Sequence, residues 1–329
     1  MNIFVGELPP PYGGVAVKDK LLFQEVYESV GVKMINLVEC KWKPWKIPLI
    51  GIKLIIMLLI ANHVIVGVGT NERRKVLMAM RRLLRGKKGL RKTHMIAMGG
   101  MIQECTKTDK QLKGNLIKLG SVWVETEGMK NSLEEQGFTN IKIFPNCRSE
   151  RDCKNPSEMN DEIRYVFFSR ICREKGVDEI IEATPKLKGE WSLDFYGEVA
   201  TDYKEEFLNY VNSFPNVKYH GVYDSTLNTV YEELNQYDVM LLPTKWVGEG
   251  VSGTLVESKM AGLMAVATDW NFNSEVVRPD EGIVYKGELS EALNGLTIER
   301  CKLFKDNAYA SRKRYCTATY KELLLKELE

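Results

Sequence analysis

The sequence has few of the residues from which metal sites and disulfide frameworks are built. It contains three histidines, far apart at positions 63, 94 and 220, and seven scattered cysteines without a CxxC pair, at positions 40, 105, 147, 153, 172, 301 and 316. Such a set supports neither a disulfide framework nor a zinc site. The sequence also lacks a DxD triplet, the usual acidic handle for a divalent ion. We therefore expect the protein to use no metal and no other cofactor.

The chain also lacks an apolar run long enough to span a bilayer. Its most apolar segment, residues 47–61, is interrupted by Lys53 and falls short of the ~20 residues that a spanning helix needs. We expect this segment to form a buried helix or a helix lying at a membrane interface. The N-terminal MNIFVGEL has neither the basic start nor the long apolar core of a signal peptide, so a cytoplasmic location is expected.

The near-neutral net charge conceals a strong asymmetry between the two halves of the chain. Residues 1–150 carry 24 Lys and Arg against 13 Asp and Glu, or +11, which leaves 22 against 31, or −9, for the remainder. Residues 73–92 contain ten basic side chains and no acid. Such a run favours an anionic partner, and a solvated helix face is the alternative. Few aromatic residues interleave with these charges, so nucleic acid is the weakest candidate partner.

Short apolar runs alternate with amphipathic stretches along the whole chain. Their unalternated, β-rich character predicts strands buried on both faces, as in parallel sheets with crossover helices. The runs fall at 1–8, 63–68, 93–98, 121–126 and 141–146, and again at 163–170, 191–198, 217–222, 238–244, 263–269 and 282–285. A polar stretch at 147–162 separates the two series. At 329 residues the chain exceeds the usual size of one core, and we predict two doubly wound α/β domains.

The predicted domains are residues 1–150 and 151–305, and residues 306–329 are predicted to form a C-terminal helix that packs back towards the first domain. One crossover helix is predicted near residues 72–88. Its apolar side would carry Val76, Leu77, Met80, Leu83 and Leu84, and another side would carry Arg74, Arg81, Arg82 and Arg85.

Ligands of open α/β sheets bind at the carboxyl ends of the strands, so motifs that follow strands deserve most weight. Gly13 and Gly14 follow the first strand and precede a helix, where paired glycines let backbone amides approach an anion. A tight turn without a ligand explains them equally well. Arg170 and Lys175 lie in a loop between a strand and a helix and could serve a diphosphate. Ordinary loop charges, paired with Glu174 or Asp178, are the alternative.

The segment EGVSGTLVE places Glu249 and Glu257 eight positions apart, around small residues that follow a predicted strand. A helix beginning near Ser252 would expose backbone amides to a phosphate, and small residues there leave room for a sugar ring. The two acids would then accept hydrogen bonds from hydroxyls on either side. The amide-bearing residues are Gly250, Ser252, Gly253 and Thr254.

Seven segments occur in a characteristic order along the chain: PPPYGGVAV, MGGMIQE, VETEGMKNSLEEQGF, IFPN, FFSRICREKGV, FYGE and EGVSGTLVESKMAGLMAVATDWNFNSEVV. In this order they resemble glycosyltransferase family 4 (group 1), the retaining transferases of the GT-B fold. The last segment is similar to bacterial enzymes that build capsule, O-antigen and related surface polysaccharides. The resemblance implies two Rossmann-like doubly wound domains that face a central cleft.

The resemblance also implies roles for the motif residues. Arg170 and Lys175 would hold the donor diphosphate, Glu257 the ribose hydroxyls and Glu249 the hydroxyls of the transferred sugar. The backbone at Ser252, Gly253 and Thr254 would complete the phosphate site, and Gly13 and Gly14 would approach it from the first domain. One departure is MGG, Met98 to Gly100, where many members carry a histidine. We expect His94 to lie inside the preceding strand in a structural role.

The implied activity is a retaining, metal-independent transfer from a nucleotide diphosphate sugar, a UDP-sugar in our expectation, to a lipid-linked oligosaccharide. Residues 73–92 would meet an anionic membrane surface, so that the protein sits on the inner face of the plasma membrane. A GT-B epimerase, a phosphorylase and a catalytically silent partner that binds nucleotide sugar remain as alternatives. A double-displacement glycosidase would have no use for a phosphate site beside its carboxylates.

Overall fold

The computed structural model describes residues 1–10, 14–39, 44–151, 159, 161–224, 227 and 229–329. Contacts within the chain divide it into two compact units. Unit 1 comprises Met1–Ser149 and Cys316–Glu329, and unit 2 comprises Glu150–Tyr315.

Each unit is built on a six-stranded parallel sheet. In unit 1 the strand order is β2-β1-β3-β4-β5-β6, with β1 Ile3–Gly6, β2 Lys33–Asn36, β3 Val64–Val66, β4 Thr93–Ile96, β5 Ser121–Val124 and β6 Ile141–Ile143. In unit 2 the order is β12-β11-β10-β7-β8-β9, with β7 Ile163–Phe168, β8 Trp191–Tyr196, β9 Val217–Tyr219, β10 Val239–Leu242, β11 Met264–Thr268 and β12 Gly282–Tyr285. The prediction of two doubly wound α/β domains is confirmed.

Helices connect successive strands, as parallel pairing requires. Those of unit 1 are α1 Gly14–Leu22, α2 Ile47–Ile60, α3 Asn71–Arg91, α4 Ile102–Thr108, α5 Lys110–Leu116 and α6 Glu127–Glu135. Those of unit 2 are α7 Val177–Ala183, α8 Lys204–Ser213, α9 Val230–Leu234, α10 Gly253–Met260, α11 Asn273–Val276, α12 Leu289–Asn294 and α13 Ile298–Ser311. The last helix, α14 Thr317–Leu325, belongs to unit 1.

Strand β2 is the one strand of the described residues that the apolar pattern did not predict. It is an edge strand that pairs with β1 alone, and its sequence KMIN is polar at both ends. An edge strand has fewer neighbours to cover its faces, so only Ile35 of this strand is buried. The search for apolar runs therefore could not detect it.

Both units have aromatic cores beneath their sheets. In unit 1, Phe4 packs against Tyr27, with ring centroids 5.6 Å apart, and the fully buried Leu324 of α14 joins the same core. In unit 2, Phe195 meets Phe207 edge to face, with ring centroids 5.1 Å apart. Burying a side chain of this size stabilises a fold by about 1.5–3 kcal/mol, so α14 is an integral part of unit 1.

The predicted orientation of the helix at residues 72–88 is wrong in part. Leu77 is buried as expected, but Leu83 is 87% exposed, and Arg81 of the predicted cationic side is only 1% exposed. The reason is that carbonyl groups at the end of α2 need hydrogen-bond donors, which the periodicity of apolar residues does not show. The guanidinium of Arg81 donates hydrogen bonds to the carbonyl oxygens of Leu58, of Ala61 at 3.0 Å and of Asn62, which lie at the C-terminal end of α2. The last carbonyls of a helix need such partners when they are buried.

In the described part of the chain, no helix is both long enough and apolar enough to cross a membrane.

Candidate functional site

The candidate site lies at the carboxyl edge of the sheet in unit 2, where β7 and β10 end side by side. The loop after β7 carries Arg170 and Lys175, and the loop after β10 carries Glu249. A backbone hydrogen bond of 3.0 Å joins the two loops, from the amide of Lys245 to the carbonyl of Glu174. The topology therefore brings together two motifs that are more than seventy residues apart in sequence.

Lys175 and Glu249 form an ion pair through Nζ and Oε2. Their side chains are only 16% and 12% exposed, so the pair is shielded from most solvent. The hydroxyl of Thr244 donates a further hydrogen bond of 3.2 Å to the same carboxylate oxygen. Asp178, which was an alternative partner of Lys175, instead pairs with Arg173 at 3.0 Å. The predicted cation and the predicted acid thus occupy one place.

The Lys175 loop packs closely against the end of β10 at Gly176. Gly176 has a φ of +77°, and a Cβ atom at this position would lie 1.9 Å from the carbonyl oxygen of Pro243. A side chain would therefore meet both backbone strain and a direct clash. The close approach fixes the backbone of the residue before it, Lys175.

The Glu249 loop is held from the next strand exit, after β11. The side-chain Nδ2 of Asn271 donates to the carbonyl oxygens of Glu249 at 3.0 Å and of Val247 at 3.2 Å. Trp270 Nε1 donates to the carbonyl oxygen of Trp246 at 3.0 Å. Asn271 adopts a positive φ of 48°, which asparagine tolerates better than most residues. Loop residues from three strand exits therefore position the carboxylate.

Helix α10 starts directly after this loop. Ser252 precedes it in an extended conformation, and within the described residues its hydroxyl makes no capping hydrogen bond to the helix amides. The hydroxyl of Thr254 donates to the carbonyl of Phe168 at 2.7 Å, which ties the first turn of the helix to the end of β7. Gly253 begins the helix, and Glu257 lies within it with 6% of its surface exposed. The predicted helix start is therefore at the sheet edge, beside the ion pair.

Arg170 lies on the same loop as Lys175, five residues earlier, and its side chain is exposed, outside the Lys175–Glu249 pair. Gly13 lies outside the described residues. Gly14 is the first residue of α1, and a Cβ atom there would have no neighbour within 4 Å among the described atoms. Gly14 is thus not forced by packing, which leaves its predicted role open.

Buried charges line the corresponding edge of unit 1, and the sequence reading did not single them out. Lys18 and Glu125 form an ion pair of 2.9 Å with both side chains almost fully buried. Asp19 is also buried, and its Oδ2 accepts the amide of Glu7 at 2.7 Å. Burial raises the pKa of Asp19 well above its usual range. A Cβ atom at Gly67, after β3, would lie 2.0 Å from the Asp19 carboxylate, so the glycine makes room for this acid.

The MGG segment, Met98 to Gly100, has glycine backbone at the position that the resemblance assigns to a histidine side chain. Gly99 has a φ of +87°, and the carbonyl of Gly100 accepts a hydrogen bond of 2.6 Å from Gln103. His94 lies in β4 as expected, where it contacts His63 and Ser121 at 3.1 and 2.9 Å. It is therefore part of the interior of unit 1.

Among the residues that the structure describes, no three His, Cys, Asp or Glu side chains are grouped as the ligands of a metal ion would be. That the reaction needs no metal stays a prediction.

Residues 162–298, within unit 2, match the family model described as Glycosyl transferases group 1. No curated protein matches the sequence. The chain therefore contains a group 1 glycosyltransferase domain, and this domain supports glycosyltransferase as the class of enzyme, as predicted.

Solved structures with the same fold cover both units. The apo form of the lipopolysaccharide outer core galactosyltransferase WaaB is 15% identical, with a TM-score of 0.69 over 100% of this chain and 99% of that one. HepE from Anabaena in complex with UDP is 14% identical, with a TM-score of 0.74 over 99% of each chain. Sucrose-phosphate synthase from Thermosynechococcus elongatus is 12% identical, with a TM-score of 0.73 over 100% of this chain and 98% of that one. The two-domain fold is GT-B, as predicted.

Proposed function

We propose that the protein is a retaining glycosyltransferase of family 4 that needs no metal and moves a sugar from a UDP-sugar to a lipid-linked oligosaccharide, in the synthesis of a bacterial surface polysaccharide. The observation that carries the proposal is the Lys175–Glu249 ion pair beside the start of α10. This pair lies within the group 1 glycosyltransferase domain. A cation, a carboxylate and helix amides at one sheet edge are the groups that a sugar diphosphate requires.

In the proposed reaction the bond between the anomeric carbon and the diphosphate oxygen breaks, and its electron pair leaves with UDP. A new bond forms on the same face of the sugar from the acceptor hydroxyl oxygen, whose proton passes to the departing phosphate. Negative charge grows on the diphosphate during this step. Lys175, Arg170 and the first amides of α10 would stabilise that charge more in the transition state than in the ground state.

The ion pair holds Lys175 and Glu249 in defined positions. Each neutralises the other, and Thr244 supplies a further hydrogen bond. A bound donor would replace this ion pair by two interactions of its own, one between Lys175 and the diphosphate and one between Glu249 and sugar hydroxyls. Because both side chains are already ordered and mostly shielded, little conformational entropy would be lost on binding. Glu257 would hold the ribose from within α10.

The identity of the donor nucleotide and of the product is inferred from the relatives. One structure of similar fold holds UDP, and another is named as an outer core galactosyltransferase of lipopolysaccharide. These support a uridine nucleotide and a surface glycan for this chain. An acceptor carried on a lipid would also explain the basic run at residues 73–92, whose exposed side chains we propose to meet an anionic membrane surface at the inner face of the plasma membrane.

The test is a turnover assay with a panel of UDP, GDP, ADP and TDP sugars. The wild type should slowly hydrolyse a UDP-sugar, and Lys175→Ala should lower that rate by the 100- to 1,000-fold order that follows from losing one such contact, about 3 kcal/mol or more. Lys245→Ala removes an exposed lysine of the neighbouring loop and is the matched control. Epimerisation of the donor without an acceptor, a requirement for inorganic phosphate, or binding without any turnover would each refute the proposal.

A further inference from the structure

Helix α2 presents an apolar face to solvent. Six large side chains on one side of the helix are between 43% and 67% exposed, namely Leu49, Ile52, Ile55, Ile56, Leu59 and Ile60. Positions 49, 52, 56 and 59 recur at helical spacing, so they form one continuous stripe. Only Ile50 and Leu58 of this helix are buried. The face turned towards unit 1 is thus the minor part of the apolar surface of α2.

The helix is held firmly despite its small buried face. Arg81 of α3 is buried and donates to the carbonyl oxygens of Leu58, Ala61 and Asn62 at the end of α2. Arg85, one turn further along α3, donates to the carbonyl of Leu59 at 3.2 Å. Charge-assisted hydrogen bonds of this kind are among the stronger ones in proteins. The exposed stripe is therefore a fixed feature of the surface.

The surroundings of the stripe are basic. Residues 40–103 contain fourteen Lys and Arg and a single acid, Glu72. Lys53 is exposed on α2 itself, and Arg85 lies at the end of the helix. An apolar face bordered by cations complements an anionic lipid leaflet, in which headgroups meet the cations and acyl chains meet the apolar side chains.

Only part of the basic run at residues 73–92 faces outwards. Arg74 and Arg81 are buried, Arg73 pairs with Glu7 and Lys75 pairs with Asp109. The exposed basic side chains that remain are Arg82, Arg85, Lys87, Lys88 and Arg91. These can attract an anionic surface, but they offer no continuous apolar area that would anchor the protein there.

We propose that α2 lies in the plane of an anionic leaflet, with its stripe from Leu49 to Ile60 inserted at the boundary between headgroups and acyl chains. This rests on the proposed function and deepens it, because it names the element that brings the enzyme to a lipid-linked acceptor. A second copy of the chain is the other possible occupant of the stripe. It would bring the basic surroundings of both copies together, and the like charges would repel.

The experiment measures partition of the full chain onto vesicles of phosphatidylcholine, with and without phosphatidylglycerol. Ile52→Gln/Ile56→Gln should lower the partition coefficient on the mixed vesicles at least about tenfold, because two apolar side chains leave the lipid. Lys87→Gln/Lys88→Gln should lower it about 25-fold on the mixed vesicles, at roughly fivefold for each charge, and leave binding to pure phosphatidylcholine unchanged. Leu303→Gln/Leu323→Gln changes exposed apolar side chains of α13 and α14 and should have no effect.

Two results would overturn the inference. One is partition of Ile52→Gln/Ile56→Gln equal to that of the wild type. The other is a wild type that is a dimer by light scattering, together with an Ile52→Gln/Ile56→Gln variant that is monomeric and still binds vesicles. The stripe would then be a contact between two copies of the chain. Hydrolysis of a UDP-sugar needs no membrane and should be equal in the wild type and in Ile52→Gln/Ile56→Gln. If the wild type hydrolyses no nucleotide sugar but loses vesicle binding as described, the proposed function fails and the membrane surface stands.

Discussion

Acid should destabilise unit 1 through His63, which belongs to a buried chain of hydrogen bonds. Lys92 Nζ lies 3.4 Å from His63 Nε2, His63 Nδ1 lies 3.1 Å from His94 Nε2, and His94 Nδ1 lies 2.9 Å from Glu327 Oε2. For Lys92 to donate to His63 and His63 to donate to His94, both imidazoles must carry their proton on Nδ1 and His63 must be neutral. Burial, together with the neighbouring His94 and Lys92, lowers the pKa of His63 to about 4.

The direction of the effect follows from proton uptake. An unfolded histidine binds its proton near pH 6.5, whereas His63 in the folded unit binds it only near pH 4. The stability that His63 contributes is therefore fully present above about pH 6.5 and is lost as the pH falls through 4. At ~1.4 kcal/mol per pH unit, the gap between the two values corresponds to about 3 kcal/mol.

Because the chain has only three histidines, their titration can be followed one by one. Carbon-13 labelling of the imidazoles should give three resonances, which His63→Gln and His220→Gln assign. We expect the His63 resonance to stay in its neutral position until the pH approaches 4. Hydrogen exchange of strands β3 to β5 should show an opening free energy that falls by about 3 kcal/mol from pH 7 to pH 4, and by clearly less in His63→Gln. A His63 that titrates near 6.5, or an unchanged pH dependence in the variant, would refute the reasoning.

Four further substitutions, one of them a control, test the packing and charges of the two units. Gly176→Ala should destabilise unit 2 by about 2–4 kcal/mol in denaturant unfolding, because a Cβ atom meets a carbonyl at a positive φ; equal stability would contradict this. Asp238→Asn removes the buried partner of Lys305 and should cost about 3–5 kcal/mol, whereas Asp269→Asn, whose lysine partner is largely exposed, should cost less than about 1 kcal/mol. Burial acts to raise the pKa of Glu327, but hydrogen bonds from two basic side chains outweigh it and lower the pKa to about 2. Its stabilising effect is present above about pH 4.5 and is lost as the pH falls towards 2, so Glu327→Gln should cost about 2–3 kcal/mol at pH 7 and almost nothing near pH 2.

Much of the fold was predictable because a parallel sheet leaves a strong mark on the sequence. Strands buried on both faces must be apolar throughout, as β4 and β10 are. Edge strand β2 does not have such an apolar sequence, because only one of its residues is buried, and it was therefore not predicted. The orientation of Arg81 on α3 was predicted wrongly because its burial depends on carbonyls at the end of α2, which are about twenty residues away. The spacing of apolar residues indicates which side of a helix is buried, but it does not reveal a single buried polar contact.

The candidate site shows the same division. Lys175 and Glu249 were predictable because each follows a strand, and adjacent parallel strands end at the same edge. Their direct pairing was not, because it depends on loop conformations that Gly176 and Asn271 set. The buried charges of α1 were also missed, since Asp19 in the sequence VKDKLL has the pattern of an exposed helix face.

The central claim is that Lys175 holds a nucleotide diphosphate at the carboxyl edge of the unit 2 sheet, and titration calorimetry tests it most directly. UDP and uridine would each be titrated into the wild type, Lys175→Ala and Lys245→Ala. We predict that Lys175→Ala weakens UDP binding by about 1.5–3 kcal/mol, roughly 10- to 150-fold, and leaves uridine binding unchanged, while Lys245→Ala behaves as the wild type. Equal affinity of the wild type and Lys175→Ala for UDP would contradict the claim.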